Sequence, residues 1–270
     1  MQDNIKFEEV VVDLSYHQGE VDFKELKNSG VYGVIIRAGY GDKVSQEDPM
    51  FQKYYEQAKE VGLHIGAYWY SYAQSPSDTR QEIQAFLQVV EGKDFDMFLA
   101  YDVEDVSQLH LDQDTTSWMC ETALNMIGEH GYTPVLYTNP DWLTYHLSYV
   151  EMAPDTNYWV AAYDEGHEEF TNSDFCVMHQ YKISEPSRGI STNYDLNVCY
   201  VDFPNQDNTD IEYNSNTIAL PVDAEVIYNN EVDDGVISPA LIIAMMIISF
   251  IYVKFIITNT SSDDKRNTNK

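Results

Sequence analysis

The chain has 270 residues, is 44% hydrophobic, and carries 15 Lys+Arg against 45 Asp+Glu, a formal net charge of −30. That length and apolar content suit one large domain with a core, plus additional segments. So acidic a surface is repelled by phosphate backbones, which excludes nucleic acid as an expected partner.

The charge is unevenly spread. Residues 1–204 hold 11 Lys+Arg against 35 Asp+Glu, residues 205–253 hold 8 acids and no base, and residues 254–270 hold 4 bases against 2 acids. Three cysteines, Cys120, Cys176 and Cys199, form no CxxC pair, so no metal centre is expected. Cys176 and Cys199 meet only if their strands are neighbours; three buried thiols is the simpler reading. P-loop, GxGxxG and GxSxG motifs are all missing, and no cofactor is expected.

The first 204 residues alternate strand-like and helix-like segments. "VVVDLS" (10–15) reads as a strand and "VDFKELKNSG" (21–30) as a short helix closed by Gly30. "YGVIIRAGY" (32–40) is a buried strand. "DPMFQKYYEQAKEVG" (48–62) reads as a helix with Asp48 as N-cap, Pro49 at its first position and Gly62 past its end. "HIGAYWYSYA" (64–73) is a third strand. In residues 77–92, Ile83, Phe86, Leu87 and Val90 recur at helical spacing. "FLAYDVE" (98–104) is a fourth strand, residues 114–131 a fourth helix, and "TPVLYTN" (133–139) a fifth strand with a short helix from Pro140.

The rhythm then changes. "NYWVAAY" (157–163), "FCVMHQYK" (175–182) and "NYDLNVCYV" (193–201) are three strands with little room for helices between them. Five strand–helix units imply a parallel α/β sheet, and eight strands suggest closure into an irregular barrel of the (β/α)5(β)3 kind, with an open sheet as the alternative.

Residues 205–235 are rich in Asn and Asp and read as an acidic linker. Residues 236–257, "VISPALIIAMMIISFIYVKFII", are mostly apolar, and 22 helical residues span about 33 Å, enough to cross a bilayer. Lys265, Arg266 and Lys270 in the polar tail (258–270) place that end in the cytoplasm and the large domain outside the cell. The start, "MQDNIKFEEV", has no apolar h-region and reads as no signal peptide, which leaves the export route open.

"FLAYDVED" (98–105) sets three carboxylates after an apolar run. Asp-x-Glu occurs three times, at 102/104, 210/212 and 223/225, but only the first follows a strand. In a strand, residues i and i+2 share a face, so Asp102 and Glu104 point into the barrel while Val103 and Asp105 point away. The C-terminal end of a barrel strand is where barrel enzymes keep catalytic groups. Two close carboxylates do not ionise together easily, so one stays protonated as an acid; glycoside cleavage needs such an acid and a second carboxylate. Asp13 after the "VVV" of strand one and Asp195 in strand eight would join them if those strands are neighbours. Tyr68, Tyr70 and Tyr72 alternate along strand three, Tyr137 ends strand five, and Trp159 and Tyr163 lie in strand six. Such rings stack on sugar faces, although each alone is more often core. His17, His64 and His179 are scattered and read as structural or surface groups.

In order, "VVDLSYHQGEVDF", "VIIRAGYG", "GAYWYSYA", "YDVED", "VLYTN", "YWVAAY" and "YDLNV" resemble the motifs of glycoside hydrolase family 25, the N,O-diacetylmuramidase lysozymes, over about residues 9–203. The resemblance implies a barrel of five strand–helix units and three further strands. It also implies cleavage of the β-1,4 bond between N-acetylmuramic acid and N-acetylglucosamine in peptidoglycan. Glu104 then corresponds to the general acid, and Asp102 to the carboxylate that steers the substrate's own 2-acetamido group as internal nucleophile. Asp13 and Asp195 correspond to the other two acids of the mouth. Tyr70, Tyr137, Tyr68, Trp159 and Gln180 are candidate substrate-binding residues. "VMHQY" departs from the pattern: His179 stands where an aromatic commonly precedes the Gln-Tyr pair. The expected partners are peptidoglycan glycan strands and, through the C-terminal helix, a lipid bilayer, with the chain a monomer. A non-catalytic, membrane-tethered peptidoglycan-binding protein on the same barrel is the alternative, and the complete set of four acids favours the enzyme.

Overall fold

A computed structural model describes residues 7–152 and 156–205. In chain order the strands are β1 (Glu9–Leu14), β2 (Gly33–Tyr40), β3 (His64–Tyr70), β4 (Leu99–Asp102), β5 (Pro134–Thr138), β6 (Tyr158–Ala161), β7 (Cys176–Ser184) and β8 (Tyr194–Cys199). The helices are α1 (Phe23–Asn28), α2 (Phe51–Val61), α3 (Pro76–Val90), α4 (Gln113–Glu129), α5 (Pro140–Tyr145), α6 (Tyr149–Met152) and α7 (Glu168–Thr171). The eight strands close into a barrel in sequence order. Strands β1 to β7 pair in parallel, and β8 closes the ring antiparallel to both β7 and β1. Closure, which the strand count alone left undecided against an open sheet, removes both sheet edges.

Period-two alternation divides the apolar residues into two layers. Val12, Leu14, Val34, Ile36, Leu99, Tyr101, Val103, Leu136 and Val160 face outward into the core beneath the helices. Val11, Ile35, Phe98, Ala100, Val135, Trp159 and Met178 fill the lumen. Continuing the inward register toward the C-terminal ends leads from Val11 to Asp13, from Ile35 to Arg37, from Ala100 to Asp102, and from Val135 to Tyr137. A packed apolar floor therefore carries a polar mouth, and the position of each polar group follows from strand register.

The helices form where the apolar spacing indicates. Ser75 caps α3, accepting from the Asp78 N–H with Pro76 at the first position, and Ile83, Phe86 and Val90 are buried against the barrel. Helix α2 departs from the sequence expectation. Its N-cap is Met50 rather than Asp48. The Asp48 carboxylate is instead drawn to Arg37: Oδ2 accepts from Arg37 Nε at 2.8 Å and from the Tyr16 N–H at 3.1 Å, and Oδ1 accepts from the Met50 N–H at 2.9 Å. One carboxylate thus serves both the Arg37 ion pair and the Met50 N–H at the entry to the helix.

All three cysteines are buried thiols. Cys176 Sγ donates to the Met178 carbonyl and Cys199 Sγ to that of Val201. Among the described residues no helix is long and apolar enough to cross a membrane. The linker 205–235, the apolar segment 236–257 and the tail 258–270 lie outside the described residues, apart from Asn205.

Candidate active site

The mouth of the barrel is a cavity of ≈540 Å³, and all nine residues singled out in the sequence line it: Asp13, Tyr68, Tyr70, Asp102, Glu104, Tyr137, Trp159, Gln180 and Asp195. Asp13 and Asp195 are direct partners across the antiparallel β1–β8 pair. Asp102 ends β4 beside Tyr70 of β3 and Tyr137 of β5, and Glu104 follows two residues later on the same face.

Asp13 is the best-tethered acid. Its Oδ2 accepts from Gln180 Nε2 and from Asn197 Nδ2, both at 2.9 Å. The orientation of each amide is set by its other bonds. Gln180 Oε1 receives the Tyr137 hydroxyl at 3.0 Å and the Tyr163 hydroxyl while its nitrogen faces the Asp13 carboxylate. Asn197 Oδ1 receives Trp159 Nε1, a donor only, at 2.7 Å, so its nitrogen too must face Asp13. The polar ends of Tyr137, Trp159 and Gln180 are thus engaged in holding a carboxylate. Trp159, expected to stack on sugar, is instead 1% exposed and packed edge-on among Tyr68 and Tyr137 as the floor. Tyr68 and Tyr70 remain half-buried on the wall.

The acids raise one another's pKa. Burial pushes Asp13 up to about 7, with the Asp195 charge adding to it and the two amide bonds opposing. Burial, then the charges of Glu104 and Asp13, hold Asp102 well above the usual carboxylate range. Glu104 is raised by burial, then by Asp105 and Asp195. The expected repulsion therefore acts between Asp102 and Glu104, and the charges of Asp105 and Asp195 add to it at Glu104. Asp105, expected to drop out, caps the turn at residues 106–108 and accepts from the Tyr70 hydroxyl at 3.0 Å. It does not line the cavity, yet its charge reaches Glu104.

Asp102 Oδ1 is buried and accepts no hydrogen bond from the protein. Buried acceptors are rarely left so.

Two residues escaped the sequence reading. Asn197 stands two positions from Asp195 in "YDLNV", and the same period-two rule that joined Asp102 to Glu104 would have found it. Arg37 stands alone in the apolar "VIIRAGYG" and is the cationic residue of the wall. A lone charge in a buried strand was the available signal. Of the histidines, His17 lines the cavity, His179 Nε2 contacts the Ala162 carbonyl at 2.8 Å, and His64 pairs with Asp96 at 2.7 Å.

The sequence profile of glycosyl hydrolases family 25 matches residues 12–190. The chain belongs to glycosyl hydrolases family 25. It is 31% identical over 185 residues to an autolytic lysozyme of Clostridium acetobutylicum, covering 68% of this chain and 54% of that one. It is 24% identical over 221 residues to a lysozyme of Streptococcus phage Cp-7, covering 79% and 59%. The chain thus spans little more than half the length of these relatives. Among solved structures it resembles the modular autolysin LytC of Streptococcus pneumoniae (TM-score 0.63, 25% identity, 72% of this chain and 47% of that one). It also resembles the CTP1L endolysin (TM-score 0.63, 27% identity, 72% and 67%). The match begins within β1 and ends before β8, the strand that supplies Asp195 and Asn197.

Proposed function

We propose that this family-25 chain is a muramidase that hydrolyses the β-1,4 bond between N-acetylmuramic acid and N-acetylglucosamine in peptidoglycan. The observation that carries the reading is the convergence of Asp13, Asp102, Glu104 and Asp195 on one cavity. Glu104, raised and half-buried, protonates the leaving oxygen. Asp102 accepts the N–H of the substrate's 2-acetamido group, which orients its carbonyl oxygen for attack on the anomeric carbon. The acetamido group then serves as nucleophile, configuration is retained, and no protein nucleophile is required. Asp13 and Asp195 sustain the field that keeps the acids partly protonated. The names of two relatives, an autolytic lysozyme and a phage lysozyme, and a LytC structure holding a synthetic peptidoglycan ligand support the substrate class.

The test is Glu104→Gln. Loss of general-acid catalysis lowers turnover by about 10²-fold or more. Wild-type release of reducing ends from peptidoglycan by the fold-intact variant removes the assignment; binding without release by the wild type would identify a glycan-binding protein instead.

We further propose that residues 236–257 anchor the domain to a membrane, with the barrel outside the cell. The reading rests on the length and apolarity of that segment and the basic tail beyond it. Truncation after residue 235 is expected to move the protein from the membrane fraction to the soluble one; an unchanged distribution sinks the anchor.

A further inference from the structure

Asp102 and Glu104 share one face of one strand end and carry opposite duties. Asp102 has to be ionised to accept an N–H, and Glu104 has to hold a proton to give away. Burial favours the reverse. Asp102 is 3% exposed and Glu104 is half-buried, so desolvation alone would leave the proton on Asp102. We propose that Arg37 is a positioning residue that draws the negative charge of this pair onto Asp102 and so leaves the proton on Glu104. The proposal rests on the muramidase reading for the duties of the two carboxylates.

The fold puts one cation where it can act in this way. Among the described residues that line the cavity, Arg37 is the one Lys or Arg, set among Asp13, Asp102, Glu104 and Asp195. A guanidinium stays charged throughout the working pH range. Arg37 follows two residues after Ile35 of the floor, on the inward register of β2, and its partner on β3 is Tyr68. Tyr68 pairs in turn with Ala100, two residues before Asp102 on β4. One strand therefore separates the guanidinium from the carboxylate.

The guanidinium is also held in place. Its Nε donates to Asp48 Oδ2 at 2.8 Å, Nη2 lies 2.8 Å from the same oxygen, and the centre of the Tyr16 ring is 4.9 Å away. Asp48 weakens the positive charge without cancelling it. It is buried, is no part of the cavity lining, and accepts from the Tyr16 and Met50 N–H groups as well. The ion pair thus turns its positive end toward the cavity.

The charges around the two acids differ. At Asp102, burial and the charges of Glu104, Asp13 and Asp105 favour the protonated form, and Arg37 opposes them. At Glu104 the acting charges are those of Asp105 and Asp195. The phenols that face the cavity, Tyr68 and Tyr70 of β3, Tyr137 of β5 and Tyr163 after β6, are pushed up by burial and stay neutral; His17 completes the titratable lining. One cation therefore separates two neighbouring acids. Burial remains the largest influence on Asp102, and the N–H that a bound acetamido group brings to it acts in the same direction as Arg37.

The test is the pH profile of kcat/KM for release of reducing ends by the wild type, Arg37→Gln, Arg37→Lys and the double variant Arg37→Gln/Asp48→Asn. Protonation of Asp102 sets the acid limb, and loss of the Glu104 proton sets the alkaline limb. Arg37→Gln is expected to move the acid limb up by about one pH unit, an about tenfold loss of rate at a pH on that limb, and to move the alkaline limb less. Arg37→Lys keeps the charge and is expected to return the acid limb most of the way. If Arg37→Gln fails to fold because Asp48 is left buried and unpaired, the double variant removes both charges and carries the same expectation. An acid limb that stays in place, or that moves as far with Lys as with Gln, overturns the proposal. Carbon-13 NMR titration of the Asp102 carboxyl in the wild type and Arg37→Gln separates the two readings. A wild type that releases no reducing ends, with an Asp102 midpoint that still rises in the variant, defeats hydrolysis and keeps the role of Arg37. An active wild type whose Asp102 midpoint does not rise in the variant defeats the role of Arg37 alone.

Discussion

Replacement of Asp13 by Asn is expected to stabilise the protein at alkaline pH while harming the enzyme. Asp13 titrates at about 7 in the folded chain against 3.8 for the ordinary side chain. The sign follows from proton counting. Below about pH 4 the carboxyl is protonated in both folded and unfolded chains and contributes nothing. Between about pH 4 and pH 7 the folded chain keeps a proton that the unfolded chain has released, so rising pH removes stability by up to about 1.4 kcal/mol per unit. Above pH 7 the penalty is complete. A shift of this size has a ceiling of about 4 kcal/mol, and sharing of the proton with Asp195 and relaxation of the surroundings reduce it to about 2 kcal/mol. Asp13→Asn removes the titration, and its amide oxygen can still accept from Gln180 and Asn197. Urea unfolding at pH 4, 6 and 8 measures the effect. The variant is expected to match the wild type near pH 4 and to exceed it by about 2 kcal/mol at pH 8. Asp102 is raised in part by the Asp13 charge, so the difference between the two curves reports Asp13 together with that coupling. Parallel curves would refute the buried-acid account of this site. Lower activity in the more stable protein is the trade expected of a strained catalytic centre.

Other perturbations probe the same scaffold. Asp105→Asn removes one of the charges that raise Glu104, so the alkaline limb of the pH profile of kcat/KM, where the general acid loses its proton, should move to lower pH; an unmoved limb argues against that coupling. Glu82→Leu orphans the Tyr72 N–H and takes one partner from the Tyr101 hydroxyl, which keeps Ser71, and should cost about 2 kcal/mol in chemical denaturation; a cost below about 0.5 kcal/mol would mean this buried network is not holding the loop after β3. Gly39→Ala places a methyl 2.5 Å from the Trp69 ring and 2.7 Å from the Gln46 carbonyl, and thermal melting should report a loss of about 1–3 kcal/mol; a neutral result would show that Trp69 can give way.

Much of the fold was legible because periodicity is local. The strands 98–104 and 133–139 and the helix 77–92 declare themselves by the spacing of apolar residues, and their observed bounds differ by a residue or two from those read in the sequence. The failures are instructive. Asp48 looked like a helix cap because Asp before Pro is common there, but its partner Arg37 lies 11 residues earlier on another element and took the carboxylate instead. Trp159 looked like a sugar platform because ring chemistry was all the sequence offered, whereas its depth in the lumen depends on how the neighbouring strands fill that space.

The sequence by itself determined the elements, the lumen-facing parity of the strand at 98–104, and which acid triplet had a strand to hold it. Those properties are carried by residues within a few positions of one another, where two-residue and 3.6-residue repeats act directly. Only the tertiary structure decided that β8 closes antiparallel onto β1 and sets Asp195 against Asp13. It alone decided that Asn197 and Gln180 both turn their amides toward Asp13, and that the Asp105 charge reaches Glu104. Residues up to 184 positions apart meet there. Their ionisation depends on burial and on the distances between charges, and both arise only once the barrel is closed.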